Sequence, residues 1–455
     1  SMTHSKFLWG AATASIQIEG GASARGLSNW DVFCETNGRV HAGHSALIAA
    51  DHYNHLEEDV AMLKEMGLNA YRFSVSWPRI MPDGFGAVSE EGLAFYDRLI
   101  NSLLDNGIEP YLTIFHWDLP YSLHLKGGWL NPDISDYISD YTKVLVDRYS
   151  DRVKHWITLN EPQCFINLSY RTGEHAPGYH VSDRELALAV HNALLSHGKI
   201  SQIIKANAKS APSITYTQAM PMSSIPLTNT EKDIEASRKR QFSISSDFAG
   251  TISVFADPIF LGAYPAEYLT RYESILPKFG RDDFNIISTP IDYLGVNIYM
   301  GDFVTAGPNG EPIVVSPKPG HAKTAYNWQV RPECMYWANR FCYERYQKPI
   351  IITENGMSGN DWIHLDGKVH DYDRIDYINR YLLELNRAMK DGVDIRGYFH
   401  WSLLDNFEWA KGYYERFGLV HVDFENGNRT MKDSAYHFGT IAKTDGKSIG
   451  ADFTI

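Results

Sequence analysis

Eight short β-rich runs, helix-period segments between them, and polar residues gathered at the ends of the runs predict a (β/α)8, or TIM, barrel with extended βα loops. The runs fall at residues 7–12, 70–76, 109–115, 154–159, 213–218, 292–298, 349–353 and 395–401. Between the second and third, Ser89 is an N-cap with Glu90 and Glu91 in the first turn. Apolar residues then recur at Leu93, Tyr96, Leu99, Ile100, Leu103 and Leu104, and Gly107 closes the helix. Between the third and fourth, Ile134, Tyr137, Ile138, Tyr141, Val144 and Leu145 repeat the 3.6-residue period, as do Ile375, Ile378, Leu382 and Leu385 between the seventh and eighth. The strands start further apart than the roughly 30 residues of a minimal βαβ unit, so long loops must decorate the barrel. No glycine-rich dinucleotide loop follows any strand, which weighs against a doubly wound open sheet. No linker or compositional break divides the 455 residues, and residues 1–455 read as a single catalytic domain, with Ser1 ahead of Met2 as an appended residue.

Chemistry in such a barrel collects at the C-terminal ends of its strands. Those ends carry Gln17 with Glu19, Arg72, His116-Trp117-Asp118, Asn160-Glu161, Asn297 with Tyr299, Glu354-Asn355 and Trp401, and beyond them Glu408 and Trp409. They are expected to face one pocket. A single Glu at a strand end is usually an ion-pair partner. Glu161 after the fourth strand and Glu354 after the seventh form an opposed pair, and glycoside hydrolysis needs two carboxyl groups, one protonated toward the leaving oxygen and one ionised.

The motifs at these ends resemble glycoside hydrolase family 1, the β-glucosidase family, over nearly the whole chain. The resemblance is carried by residues 7–21 (FLWGAATASIQIEGG), 71–77 (YRFSVSW), 116–120 (HWDLP), 158–162 (TLNEP), 352–356 (ITENG), 401–412 (WSLLDNFEWAKG) and 416–422 (RFGLVHV), seven motifs in family order. It implies a retaining β-glucosidase acting on terminal, unphosphorylated β-glucosyl residues through a covalent glycosyl-enzyme. Side activity on β-galactosides and β-fucosides is also implied. Glu161 would be the acid/base and Glu354 the nucleophile, with Arg72 and Tyr299 supporting the nucleophile. Asn160 would bind the sugar 2-hydroxyl; Gln17, His116, Trp117, Asn297, Glu408 and Trp409 would grip the sugar. Trp401 would stack under the sugar ring, Phe417 would border the pocket, and Trp328 would form the leaving-group platform. Family members that act on 6-phosphorylated sugars carry a different 403–409 loop, with serine and a later Lys-x-Tyr; Glu408 here points to an unphosphorylated sugar. Ile16 and Ile298 replace aromatic residues common in the family and bear on fine sugar preference. Two other readings use the same site: sugar transfer to acceptor alcohols, and a non-catalytic carbohydrate-binding barrel, against which both glutamates stand. Aglycone choice is expected to depend on Trp328, Cys164, Phe165 and residues 170–180.

Composition bounds the partners. A formal charge of −13 argues against nucleic acid and anionic membrane. Eleven Trp and 27 Tyr suit ligands with polar rims and apolar faces, such as small β-glucosides or short oligosaccharides. The 18 His residues form no HExxH and no Cys/His ligand set, so neither metal nor cofactor is expected. Four cysteines (Cys34, Cys164, Cys334, Cys342) without a CxxC pair read as free thiols. With no signal-like segment and no run of 18 apolar residues, a cytoplasmic location is expected, and the sequons at Asn167 and Asn428 read as chance matches. The 446–448 Gly-Lys-Ser lacks the upstream glycine of a phosphate loop and reads as a C-terminal turn. Oligomeric state is not legible in the sequence.

Overall fold

The structure, a computed structural model, describes residues 6–455; Ser1 lies outside them. Eight parallel strands close into a barrel: β1 Leu8–Ala12, β2 Ala70–Ser74, β3 Glu109–Phe115, β4 His155–Asn160, β5 Ser213–Ala219, β6 Leu294–Asn297, β7 Ile350–Asn355 and β8 Ile395–Trp401. Each of the eight expected runs contains its strand to within two residues. Closure is made by β1 lying between β2 and β8, with Ala12 opposite Arg72 on one side and Trp401 on the other. Nearly every strand residue is buried, as parallel strands sandwiched between a filled interior and a helical coat must be.

Two apolar layers hold the barrel. Inside, Leu8, Ala12, Ala70, Tyr111, Tyr293, Ile351, Phe399, Trp401 and Phe417 form one cluster. Tyr111 stacks flat on His155 at 4.2 Å and meets Phe399 at 5.0 Å. The Phe399 ring occupies the space a side chain at position 10 would need: a Cβ on Gly10 would lie 2.5 Å from it. The second, larger layer lies between strands and helices and includes Trp9, Trp77, Trp156 and Phe341.

The helices follow the periodicity. The segment α1 (His52–Met66) follows β1, α2 (Glu90–Asp105) follows β2 and α3 (Ile134–Tyr149) follows β3. The Ser89 hydroxyl accepts from the Gly92 amide at 3.1 Å, and Gly107 at φ +71° turns the chain away from α2. Further on come α4 (Asp183–Asn207), α5 (Ile252–Leu261), α6 (Cys334–Tyr346), α7 (Tyr372–Lys390) and α8 (Asp433–Lys443). In α4, Ser182 and Glu185 form a capping box, which anchors the start of a 25-residue helix. The Lys447–Ile449 turn is a single 3-10 turn at the chain end, as expected for the Gly-Lys-Ser sequence.

The long loops gather at the C-terminal rim. A three-stranded sheet (Ser224–Pro226, Asp302–Ala306, Pro312–Val315) joins the segments that follow β5 and β6. Val420–Val422 pairs with Arg429–Met431 after β8. The segment 322–330 folds back on itself, with Thr324 N donating to Trp328 O at 2.8 Å and Val330 N to Ala322 O at 3.0 Å. No helix among the described residues is long and apolar enough to cross a membrane.

Candidate active site

Glu161 ends β4 in a left-handed conformation, φ +50°, and so aims its carboxyl into the mouth of the barrel instead of along the strand. Trp117 (φ +82°) and Trp409 (φ +50°) share this uncommon backbone region beside it, and Asn327 (φ +66°) sits at the tip of the 322–330 hairpin. Each such position costs about 1–3 kcal/mol and persists only where its surroundings enforce it. Glycine serves the same end after β7: a Cβ on Gly356 would lie 1.9 Å from the Trp401 carbonyl, so only glycine lets Glu354 and Trp401 sit this close.

The two carboxyl groups are held differently. Glu354, at the end of β7, accepts from Arg72 Nη1 at 2.7 Å on one oxygen and from the Tyr299 hydroxyl at 2.5 Å on the other. Glu161 accepts only from neutral donors, the Asn297 amide at 2.6 Å on Oε2 and the Cys164 thiol at 3.0 Å on Oε1. A buried guanidinium, that of Arg72, pairs with Glu354. Burial, reinforced by the charge of Glu354, pushes Glu161 up to about 7. The two environments differ, a cation and a phenol on one carboxyl against neutral donors and raised proton affinity on the other, as paired-carboxyl chemistry requires.

A single hydrogen-bonded chain ties the pair together. Arg72 Nη2 donates to Asn160 Oδ1 at 2.6 Å, and Asn297 Nδ2 reaches the same oxygen at 3.1 Å. The Thr353 hydroxyl donates to Asn297 Oδ1 at 2.7 Å, orienting that amide toward Glu161. Asn160 Nδ2 meets His116 Nε2 at 3.0 Å. Arg72 also reaches Thr113 and the Thr353 carbonyl, so it serves the barrel and the site together.

Around this chain lie buried polar atoms with no partner in the protein: Gln17 Oε1, His116 Nδ1 and Glu408 Oε2. Both Gln17 amide protons are spent on Asn406 and Phe407, which leaves its oxygen as the free group. Unsatisfied buried polar groups are expensive, and three beside one carboxyl pair suit a ligand rich in hydroxyls. The Trp401 and Trp409 rings flank His116 at 5.9 and 6.0 Å. On the other side, Trp328 packs on Tyr299 at 5.0 Å and faces Phe417 at 5.8 Å, with Tyr326 beside it at 4.4 Å.

Several expectations need correction. Glu19 does not face the pocket: Arg79 Nε and the Tyr96 hydroxyl donate to it at 3.0 and 2.6 Å, making it a structural ion pair under the β1 loop. Asp118 accepts from Ser15 at 2.5 Å, and Asn355 donates to the Ile298 carbonyl at 2.8 Å; both brace loops behind the site. Trp117 spends its indole N–H on the Asn160 carbonyl at 2.8 Å, so it offers a ring edge beside Trp409 at 4.5 Å and no free donor. Phe165 packs against Phe115 and Trp129 in the core. Glu408 is buried near Glu354 and Glu161, and this pushes its carboxyl well above the usual range. Repulsion by this group alone is therefore weaker than its formal charge suggests.

The sequence reads Cys164 as a free thiol with a bearing on aglycone choice; its bond to Glu161 is a feature of the folded chain. It stands three residues after Glu161 in the helix Pro162–Ile166, and the i, i+3 spacing of one helical turn was the available signal. Tyr326 was missed as well, since nothing local marks it as the neighbour of Trp328.

A closed α/β barrel with two unequally supported carboxyl groups, Glu161 after β4 and Glu354 at the end of β7, has the makings of a glycosidase. The chain matches the model of glycosyl hydrolase family 1 over residues 2–447, and it belongs to that family. It is 42% identical over 446 residues to a 1,4-β-D-glucan glucohydrolase of Thermotoga neapolitana, covering 97% of this chain and 98% of that one. It is 40% identical to a β-glucosidase of an Agrobacterium species, covering 96% and 94%. Among solved structures, the family 1 β-glucosidase from Thermotoga maritima in complex with isofagomine lactam superposes with a TM-score of 0.88 at 40% identity, covering 97% and 98%. The same enzyme with deoxynojirimycin gives 0.87.

Proposed function

We propose that the protein is a retaining β-glucosidase that removes terminal, unphosphorylated β-glucosyl residues from small glucosides or short oligosaccharides. The observation that carries this reading is the unequal support of the pair, a cation and a phenol on Glu354 against neutral donors on Glu161. Glu354 attacks the anomeric carbon as Glu161 passes its proton to the glycosidic oxygen, and the aglycone leaves. Glu161, now a carboxylate, takes a proton from water, which attacks the same carbon and frees Glu354. Two inversions return the β configuration. Carboxyl groups about 5–5.5 Å apart suit this double displacement.

In this reading Asn160 holds the 2-hydroxyl. Gln17, His116, Glu408 and Trp409 hold the outer hydroxyls, while Trp401 lies under the ring and Trp328 under the leaving group. The whole chain acts as one catalytic barrel in the cytoplasm.

Specificity against phosphorylated sugars follows from what surrounds Glu408. Glu415 also faces it, and both stand where a phosphate would need cations. Lys411 and Tyr413 spell Lys-x-Tyr, but the Tyr413 hydroxyl is committed to the Ser45 carbonyl at 2.6 Å and Lys411 lies exposed over Tyr326. Nitrophenyl β-glucoside is expected to exceed its 6-phosphate in kcat/KM by about a hundredfold or more, assayed without phosphatase. Preference for the phosphate would overturn the assignment of the sugar.

A further inference from the structure

The 322–330 hairpin has a second side. Tyr326 and Trp328 face the catalytic pocket, whereas Ala322, Thr324 and Val330 line a separate cavity of 790 Å³ enclosed by residues 357–377. The volume is that of a small-molecule site. Two buried polar atoms on its wall have no partner: Thr324 Oγ1, in a residue 7% exposed, and Arg374 Nε, in a residue 1% exposed. At the mouth stand two large aromatic side chains open to solvent, Trp362 at 60% and Tyr372 at 70% exposure. His364 and His370 bridge them in a ladder of rings, Trp362–His364 at 5.2 Å, His364–His370 at 5.0 Å and His370–Tyr372 at 6.2 Å.

The buried charges deepest on the wall are matched to one another. Arg374 donates to Asp371 at 2.5 Å and pairs with Asp361 at 2.8 Å, and Lys432 holds Asp361 at 2.6 Å. Unspent hydrogen-bonding atoms inside, flat apolar faces at the rim and compensated charge between them match a neutral molecule with many hydroxyls and apolar ring faces.

We propose that this cavity is a second saccharide-binding site, distinct from the catalytic pocket, which seats a pyranoside chain against Trp362 and Tyr372 at its mouth. The ligand class is read from this cavity's own groups, so the site stands independently of the catalytic roles above. The hairpin is a shared wall. Ser358, which lines the cavity, accepts from the Tyr326 amide at 2.9 Å, so an occupied cavity bears directly on the backbone that carries Trp328.

The test is calorimetric titration of cellotetraose into the full chain with deoxynojirimycin saturating the catalytic pocket. One residual binding event is expected, accompanied by a change in tryptophan fluorescence. In the Trp362→Ala/Tyr372→Ala double variant that event should weaken by about tenfold or more, while kcat and KM for an aryl β-glucoside stay unchanged. Both side chains are exposed, so their loss opens no core cavity. Absence of residual binding in the unmodified protein overturns the proposal, as does residual binding that the double variant leaves intact. A double variant that turns a sedimenting dimer into a monomer also overturns it, by assigning the patch to a second copy of this chain. Failure of the glucosidase reading would appear instead as missing hydrolysis in the parallel assay.

Discussion

Glu354→Ala is expected to lower turnover of an aryl β-glucoside by about 10⁴- to 10⁶-fold, the scale seen when an attacking group is removed from a preorganised site. The variant loses the atom that forms the glycosyl bond, and Arg72, Tyr299 and Asn160 are left arranged around an empty position. Arg72 is fully buried, and breaking a buried ion pair costs about 3–5 kcal/mol. Its bonds to Thr113, the Thr353 carbonyl and Asn160 remain, so the barrel is expected to stay folded with a lower melting temperature. Circular dichroism and a thermal melt separate the two effects. Activity within tenfold of the unmodified protein would remove Glu354 from the chemistry.

The second large effect is at Glu161. Glu161→Ala is expected to lose about 10²- to 10⁴-fold in turnover of substrates with poor leaving groups, which need its proton. Aryl glucosides with good leaving groups should still form the covalent intermediate and then stall, because no base activates water. Azide needs no base and should restore turnover, giving the β-glucosyl azide by attack from the face Glu161 has vacated. The pH profile offers an independent reading. With Glu161 pushed up to about 7, the acid form holds below that pH, and kcat/KM of the unmodified protein should fall as pH rises through it. In Glu161→Ala that basic limb should disappear. A limb unchanged in the variant would assign the titration to another group, and rescue yielding the α-azide would reverse the roles of the two glutamates.

Much of this was legible in the sequence because it is local. Strand runs such as 109–115 are bounded by turn residues, and Ser89 and Gly107 mark their helix by short-range chemistry alone. The paired carboxyls were legible because position at a strand end is itself a structural coordinate in a barrel. Pairings across long separations were not. Glu19 stands among the site motifs, yet its partner Arg79 lies sixty residues on, and only the folded chain shows that the two neutralise each other. Trp117 lies beside Trp409 as its motif suggests, but its N–H turns to the Asn160 carbonyl, and that direction goes with the positive φ at this position. The three-stranded sheet after β5 and β6 escaped notice because its strands are short and contributed by distant segments. Glu408 shows the same limit in electrostatics: its formal charge is plain in the sequence, and the burial beside Glu354 and Glu161 that raises its proton affinity is not.

The central claim, that Glu354 and Glu161 act as nucleophile and acid/base of a double displacement, is tested most directly by proton NMR of the sugar released in the first moments of hydrolysis. β-Glucose should appear first, with the α-anomer rising later by mutarotation; α-glucose as the initial product would contradict it.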